Sequence, residues 1–404
     1  MEARDFIREG IEQALAKNFS SAIQNFTTAL EINPNSHDAY DNRAYAYVEI
    51  GDFPKAIADY TKVVELDPNN PSAYQNRSYL YASLKQYEAA IKDLSYSLNL
   101  EPSSEKNYLA RAELHQQLEN WQDAVSDFTQ AIKFNSQNSQ AYLKRAKCRL
   151  NLSQIELAFQ DLSHVIKLDP NCEQAYLQRG KIYSSGGRFE LGVQDLTTAL
   201  EINPKSLEAY YARTGCWMSL QKFELALEDL NQVVELQPDR AETYCNRGTI
   251  YNHLGQHQEA LANYEQALLI DVNCITAYLN RAGTYHVLKD YALAVQDCDI
   301  AIKLNELKPF SYYQRARAYH HWEKDKQAIQ DCNKAIALSP NFADAYFLRG
   351  KSLYYLGKKA KALEDCGIAV NLYKQRKLLA ELQVVTAFIN KIEGKSPKLQ
   401  LDKI

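Results

Sequence analysis

The sequence predicts an all-α solenoid of antiparallel helix pairs, and three observations support this fold class. An aromatic residue recurs every 34 residues along most of the chain, without one insertion or deletion. Each unit contains two stretches whose apolar residues fall on one helical face, as expected for amphipathic helices. Glycine and proline are scarce, with 14 and 11 residues among 404, whereas all-β folds use both freely at turns.

The repeated unit occurs eleven times. Its aromatic residue is Phe6 in the first unit and tyrosine in the next ten, at Tyr40, Tyr74, Tyr108, Tyr142, Tyr176, Tyr210, Tyr244, Tyr278, Tyr312 and Tyr346. The units span residues 3–376, as 3–36, 37–70, 71–104, 105–138, 139–172, 173–206, 207–240, 241–274, 275–308, 309–342 and 343–376. One helical hairpin cannot bury both of its faces, so we expect neighbouring units to stack.

Residues 37–70 show how one unit is expected to fold. An aromatic residue, a small residue and a second aromatic residue, spaced four and three apart, predict a first helix over 38–50. Gly51 then provides a turn, because glycine adopts left-handed backbone conformations at little cost. A second apolar stripe predicts a helix over 54–66, and Pro68 ends the unit because proline cannot continue a helix.

Small residues mark where helices should approach one another closely. The residue four places after the aromatic one is small in every unit: Gly10, Ala44, Ser78, Ala112, Ala146, Gly180, Thr214, Gly248, Ala282, Ala316 and Gly350. We expect the larger side chains to fill the space around these contacts.

This pattern resembles the tetratricopeptide repeat (TPR). In residues 241–274 the resemblance rests on Tyr244, Gly248, Tyr251, Ala260, Tyr264 and Ala267. It implies a right-handed superhelix whose first helices line the concave side. It also implies an interaction scaffold or adaptor that binds proteins or peptide segments without a chemical step.

Two segments follow the repeats. Residues 377–392 have one more amphipathic pattern, which predicts a capping helix over the last apolar face. Residues 393–404 contain glycine, proline and lysines and are predicted to be a flexible tail.

An arginine and an aspartate recur at fixed positions in the same repeats. Arginine stands three residues after the aromatic one in ten units, at Arg43, Arg77, Arg111, Arg145, Arg179, Arg213, Arg247, Arg281, Arg315 and Arg349. Aspartate precedes the large second-helix residue at Asp59, Asp93, Asp127, Asp161, Asp195, Asp229, Asp297, Asp331 and Asp365, with Asn263 in the remaining unit. The two interpretations are an ion pair between helices, which we favour, and a track that binds phosphate or carboxylate groups.

The motifs, cysteines and histidines of the sequence do not predict an enzyme, a cofactor or a bound metal. No hydrolase, zinc-protease, nucleotide or dinucleotide motif occurs. Cys298, Cys332 and Cys366 lie 34 residues apart, which predicts successive core layers. The group His253, His286, His320 and His321 leaves two interpretations open, a transition-metal site or a polar part of the groove.

Net charge and hydropathy limit the classes of molecule that the chain is expected to bind. The net charge of −4 gives no reason to expect nucleic acid, and no apolar run is long enough for membrane insertion. The first residues lack a secretory signal and the cysteines are scattered, so we expect a cytoplasmic protein with reduced thiols. Self-association of the chain is an additional possibility that the sequence leaves open.

The predicted groove consists of side chains at the inward places of the first helices. Its members are Asp38, Asp41, Asn42, Tyr45, Gln75, Asn76, Tyr79, Lys106, Leu109, Leu143, Lys144, Lys147, Leu177, Lys181, Tyr211, Asn246, Asn280, His286, Tyr313, Arg317, His320, Phe347 and Lys351. Apolar anchors beside polar groups are typical of peptide-binding grooves. The alternative functions are an architectural subunit of a ciliary, transport or co-chaperone assembly and, less favoured, an RNA-binding solenoid.

Overall fold

A computed structural model of the chain describes residues 2–394. These residues form 23 α-helices and no β-strand, which confirms the predicted all-α class. The chain divides into two compact units, unit 1 from Met1 to Pro204 and unit 2 from Lys205 to Ile404. Within the described part, no helix is both long enough and apolar enough to cross a membrane.

Twelve helices belong to unit 1: α1 (Ala3–Leu15), α2 (Phe19–Ile32), α3 (His37–Glu49), α4 (Phe53–Leu66), α5 (Pro71–Ser83), α6 (Tyr87–Leu100), α7 (Glu105–Gln117), α8 (Trp121–Phe134), α9 (Ser139–Asn151), α10 (Ile155–Leu168), α11 (Glu173–Ser185) and α12 (Phe189–Ile202). Eleven described helices belong to unit 2: α13 (Leu207–Ser219), α14 (Phe223–Leu236), α15 (Ala241–His253), α16 (His257–Ile270), α17 (Ile275–Val287), α18 (Tyr291–Leu304), α19 (Pro309–His321), α20 (Asp325–Leu338), α21 (Ala343–Tyr355), α22 (Lys359–Gln375) and α23 (Leu379–Glu393).

Each odd-numbered helix through α21 forms a hairpin with the helix that follows it, and successive hairpins pack on each other within each unit. Local side chains define several helix starts. Asp52 accepts a hydrogen bond from the backbone N–H of Lys55, and Asn70 accepts one from Ala73. These caps satisfy N–H groups that have no partner inside the helix.

Every hairpin turn contains a residue with a left-handed backbone. Four turns use glycine, at the expected Gly51 and also at Gly187, Gly255 and Gly357. The other seven use residues with side chains, with φ between 56° and 68°: Lys17, Lys85, Glu119, Ser153, Gln221, Lys289 and Glu323. A side chain at such φ costs free energy, so the stacked helices hold these turns in place.

The small first-helix residues lie at close contacts, as predicted. A Cβ atom added to Gly248 would lie 2.7 Å from the ring of Tyr264, and one added to Gly10 would lie 2.5 Å from Phe26. The predicted core cysteines are fully buried in three separate apolar clusters: Cys298, Cys332 and Cys366.

The last described helix differs slightly from the prediction. We expected it over 377–392, but α23 begins at Leu379 because Lys377 adopts a left-handed φ of 57° in the preceding turn. Its Val385 and Ile392 are buried, and it packs against α22. Of the predicted tail 393–404, Glu393 is helical, Gly394 follows the helix, and 395–404 lie outside the described residues. The division into eleven repeats and a cap remains our proposal.

Candidate functional site

The arginines and aspartates of the repeats form ion pairs within the hairpins. Nε and Nη2 of Arg43 on α3 each donate a hydrogen bond of 2.8 Å to a carboxylate oxygen of Asp59 on α4. Nη1 of Arg43 donates to Oγ1 of Thr27 on α2 at 3.0 Å. One guanidinium therefore connects three helices and two successive hairpins. Its hydrogen bond to Asp59 raises the pKa of Arg43.

The same geometry recurs in both units. The two-point pairs are Arg77–Asp93, Arg111–Asp127, Arg145–Asp161, Arg179–Asp195, Arg213–Asp229, Arg281–Asp297, Arg315–Asp331 and Arg349–Asp365. All nine aspartates of this Arg–Asp series are buried. Because an aspartate already occupies each guanidinium fork, the geometry favours the ion-pair interpretation over an anion-binding track.

Arg247 departs from this series. Its Nε donates to Oδ1 of Asn263 at 2.7 Å, and its Nη1 donates to Oδ1 of Asn231 at 2.9 Å. Both partners are neutral amides, so this arginine lacks the carboxylate that its equivalents have.

A cavity of about 420 Å³ opens among α3, α5 and α7 of unit 1. Five predicted groove residues line it: Tyr45, Gln75, Asn76, Tyr79 and Lys106. The rings at its rim are largely exposed, to 50% for Tyr45 and 66% for Tyr79. We call this cavity the Tyr79 pocket.

The Tyr79 pocket combines an apolar floor with fixed polar groups. Leu80, Leu94 and Leu114 are buried beneath it. The buried Asn107 also lines it and donates from Nδ2 to Oγ of Ser97 at 3.0 Å. A partner side chain would meet apolar surface at the floor and hydrogen-bonding groups at the rim.

The buried phenol of Tyr60 lines this pocket, and the partly buried carboxyl group of Asp41 lies near that phenol. Burial, and then the nearby Asp41, raise the pKa of Tyr60, whose hydroxyl also interacts with Asn76. Burial and the neighbouring Asp38 likewise raise the pKa of Asp41. The charged form of each group is therefore disfavoured at this edge of the pocket.

The remaining predicted groove residues of unit 1 differ in accessibility. Asp38 and Lys147 are exposed, whereas Asn42, Leu109, Leu143, Lys144 and Lys181 are partly buried. Lys144 pairs with Glu113 of the preceding first helix at 2.5 Å, which neutralises one positive charge of the predicted groove. Leu177 is only 3% exposed, so we remove it from the proposed binding surface. It packs against its neighbours and cannot reach a partner.

The predicted groove residues of unit 2 form local contacts along the first helices. The hydroxyl of Tyr211 forms a hydrogen bond with Thr243, and Nδ2 of Asn280 donates to Oγ1 of Thr249 at 3.3 Å. Asn246 is exposed. Phe347 is a second correction, because it is buried and the Lys351 ammonium lies 4.1 Å above its ring centroid.

The structure brings together three of the four histidines that the sequence analysis grouped. The rings of His286 and His321 are 4.7 Å apart, and those of His320 and His321 are 5.3 Å apart. His320 Nδ1 lies 2.7 Å from Asp325. The fourth, His253, stacks on Phe223 at 5.0 Å. Within residues 2–394, no group of three or more His, Cys, Asp or Glu side chains is arranged to hold a metal ion.

The surroundings of His286 favour its neutral imidazole over the protonated form. Burial lowers its pKa to about 4, with further lowering by Arg317 and His321. Its Nε2 atom is buried and has no hydrogen-bond partner within residues 2–394. The imidazole is therefore a half-buried polar ring beside other basic groups.

Sequence reasoning missed several residues of these sites. Glu113, at the pocket rim, occupies the same repeat place as Tyr45 and Tyr79, so the groove pattern itself could have included it. No sequence signal marked Asn107 or Tyr60, whose roles depend on contacts with helices elsewhere in the unit.

Repeated hairpins with small residues at their contacts place the chain among all-α repeat proteins. Family models of the tetratricopeptide repeat match residues 25–58, 44–84, 71–104, 109–171, 173–206, 241–274 and 311–342. The chain belongs to the tetratricopeptide-repeat family.

The chain is similar to several solved structures. A tetratricopeptide repeat protein from Parabacteroides merdae is 20% identical with a TM-score of 0.54, over 61% of this chain and 98% of that one. Yeast Tom70 is 17% identical with a TM-score of 0.47, and the match covers 97% of this chain and 95% of Tom70. YrrB, described as a TPR protein with an unusual peptide-binding site, is 23% identical with a TM-score of 0.43. The match covers 46% of this chain and 97% of YrrB. A comparison with curated proteins gives no match.

Proposed function

We propose that this protein is a non-catalytic scaffold that binds an extended or helical segment of a partner protein along its first helices. The observation that carries this proposal is the Tyr79 pocket, which three successive first helices build together. Its volume of about 420 Å³ suits one or two side chains of a bound segment. We propose a protein rather than a nucleic-acid partner, since the net charge is −4. We also propose a cytoplasmic location, since the eight cysteines are free thiols.

The pocket supplies the two components of peptide recognition. Tyr45 and Tyr79 present large aromatic surfaces with little conformational freedom to lose on binding. Asn76 and Lys106 supply hydrogen-bond donors that can fix the direction of a backbone. Binding energy at interfaces concentrates in a few such residues, so the pocket should act as the anchor point.

Selection of peptides from a random display library on the full chain tests this proposal. Selected peptides should bind the wild type, and Tyr79→Ala and Asn76→Ala should each weaken binding about tenfold or more in fluorescence anisotropy. The matched control is Tyr96→Ala, which removes a 47% exposed tyrosine from the second helix α6. Equal affinities for all four proteins would exclude the pocket as the anchor, and binding lost only in Tyr96→Ala would favour a second-helix surface.

A further inference from the structure

Two half-buried cationic side chains of unit 2 have no acidic partner in the part of the chain that the structure describes. Arg317 on α19 and Lys351 on α21 stand 34 residues apart, at the same place in successive repeats, and both are half-buried. Arg317 donates from Nη1 to Oε1 of Gln314 at 2.6 Å, and Lys351 lies above the Phe347 ring. Neither forms a salt bridge among the described residues, unlike the arginines of the Arg–Asp series.

A half-buried cation without a counter-ion has lost hydration that neutral groups, such as an amide oxygen or an aromatic ring, replace only in part. Burial lowers the pKa of Lys351, and the proximity of Arg317 lowers it further. The folded protein therefore holds two like charges near each other at an energetic cost. An anion placed between them would remove that cost.

The surroundings of this pair are also basic. His286 on α17 and His321 on α19 lie against each other, and Arg317 is close enough to influence both titrations. The nearby carboxylates are already engaged. Asp325 binds His320 at 2.7 Å, and Asp344 accepts a hydrogen bond of 2.7 Å from the Tyr373 hydroxyl.

We propose that Arg317, Lys351, His286 and His321, here called the basic cluster, bind an acidic side chain of an extended partner segment. The guanidinium of Arg317 matches the two oxygens of a carboxylate, and Lys351 contributes a second point of attraction. Tyr313, whose ring lies 5.9 Å from the Arg317 guanidinium, provides aromatic surface beside the charge. This inference rests on the proposed function and adds the chemical class of the bound segment.

The experiment uses the full chain and fluorescein-labelled ten-residue peptides that alternate Glu with Leu and have blocked ends. The control peptide replaces every Glu with Gln. The cluster variant is Arg317→Gln with Lys351→Gln, and the charge-matched control is Lys303→Gln with Lys334→Gln, which changes exposed lysines on α18 and α20. Fluorescence anisotropy gives the Kd, and thermal unfolding of each protein checks its fold.

We expect the Glu peptide to bind the wild type and the control variant equally, with affinity falling as salt increases. The cluster variant should bind at least tenfold more weakly. Its thermal midpoint should stay the same or rise, because the repulsion between the two cations is gone. Loss of binding with an intact thermal midpoint separates the proposed role from a structural one.

Three results would overturn this inference. They are equal binding of the Gln peptide, equal losses in the cluster and control variants, and binding of the Glu peptide only when it is made again with a free carboxyl terminus. If display-selected peptides still require Tyr79 while the Glu peptide fails to bind, the basic-cluster inference fails and the proposed function stands. If neither peptide class binds, both fail.

Discussion

Arg43 and Asp59 lie on the two helices of one hairpin and share two hydrogen bonds of 2.8 Å. Only 7% of the Asp59 side chain and 16% of the Arg43 side chain are exposed. Thr27 of the preceding hairpin accepts a third hydrogen bond from the same guanidinium. The pair therefore sets the alignment of the two helices and of successive hairpins.

Replacing Asp59 with Ala should strongly destabilise unit 1, because it leaves Arg43 half-buried and unpaired. We expect a loss of about 3–5 kcal/mol in the free energy of unfolding, measured by urea denaturation. The matched control is Glu65→Ala, since Glu65 forms an exposed pair with Lys62. That substitution should cost about 1 kcal/mol or less. Similar losses in the two variants would show that the buried pair has no special role.

Replacing Asn263 with Asp should stabilise unit 2. The change restores the carboxylate that the other arginines of the series have, and we expect a gain of about 0.5–2 kcal/mol by urea denaturation. The same substitution in an Arg247→Leu background is the control, because no guanidinium is then present. A gain of equal size in both backgrounds would mean that the new carboxylate does not act through Arg247.

Replacing Gly248 with Ala should destabilise unit 2 by about 1–3 kcal/mol, because the new methyl group would overlap the Tyr264 ring. Gly283 on α17 is the matched control, since an added Cβ there meets no atom within 4 Å. Gly283→Ala should stabilise the helix by up to about 1 kcal/mol. Thermal unfolding distinguishes the opposite signs, and equal shifts would contradict the close helix contact.

Replacing His286 with Gln should make unit 2 less sensitive to acid. Burial lowers the folded pKa of His286 from 6.5 to about 4, with Arg317 and His321 facing it. Between these values the unfolded chain takes up a proton and the folded protein does not, so stability falls as pH falls. We expect the wild type to lose about 1–3 kcal/mol more than the variant between pH 7.5 and pH 4.5.

Urea midpoints across that pH range measure the difference. The control is His253→Gln, because His253 is exposed and stacks on Phe223 away from the other histidines. Parallel pH profiles for wild type and His286→Gln would contradict the prediction, because they would show that the pKa of His286 is the same in the folded and unfolded proteins.

The helix pairs were predictable because one pattern recurs at a fixed spacing. The Arg–Asp pairing followed from two series in step, and the close contacts of Gly10 and Gly248 followed from a series of small residues. The turns were less predictable. Lys85 and Gln221 adopt left-handed backbones that sequence assigns to glycine, since the packing of both flanking helices determines the turn conformation.

Accessibility within the predicted groove was the least predictable property. Repeat counting places Leu177 and Phe347 on the inward face, yet both are buried. Whether a side chain at the edge of that face remains accessible depends on its neighbours, as Lys351 shows by covering Phe347. The convergence of His286 with His321 likewise depends on contacts between helices. Sequence spacing did not separate these two histidines from His253.

The central claim is that partner segments bind along the first helices. A photo-crosslinking benzoylphenylalanine placed at Tyr79 on α5, or at Tyr96 on α6, tests it most directly with a display-selected peptide. We expect a crosslinked product, identified by mass spectrometry, from the Tyr79 position and none from the Tyr96 position. Crosslinking at Tyr96 without crosslinking at Tyr79 would contradict it.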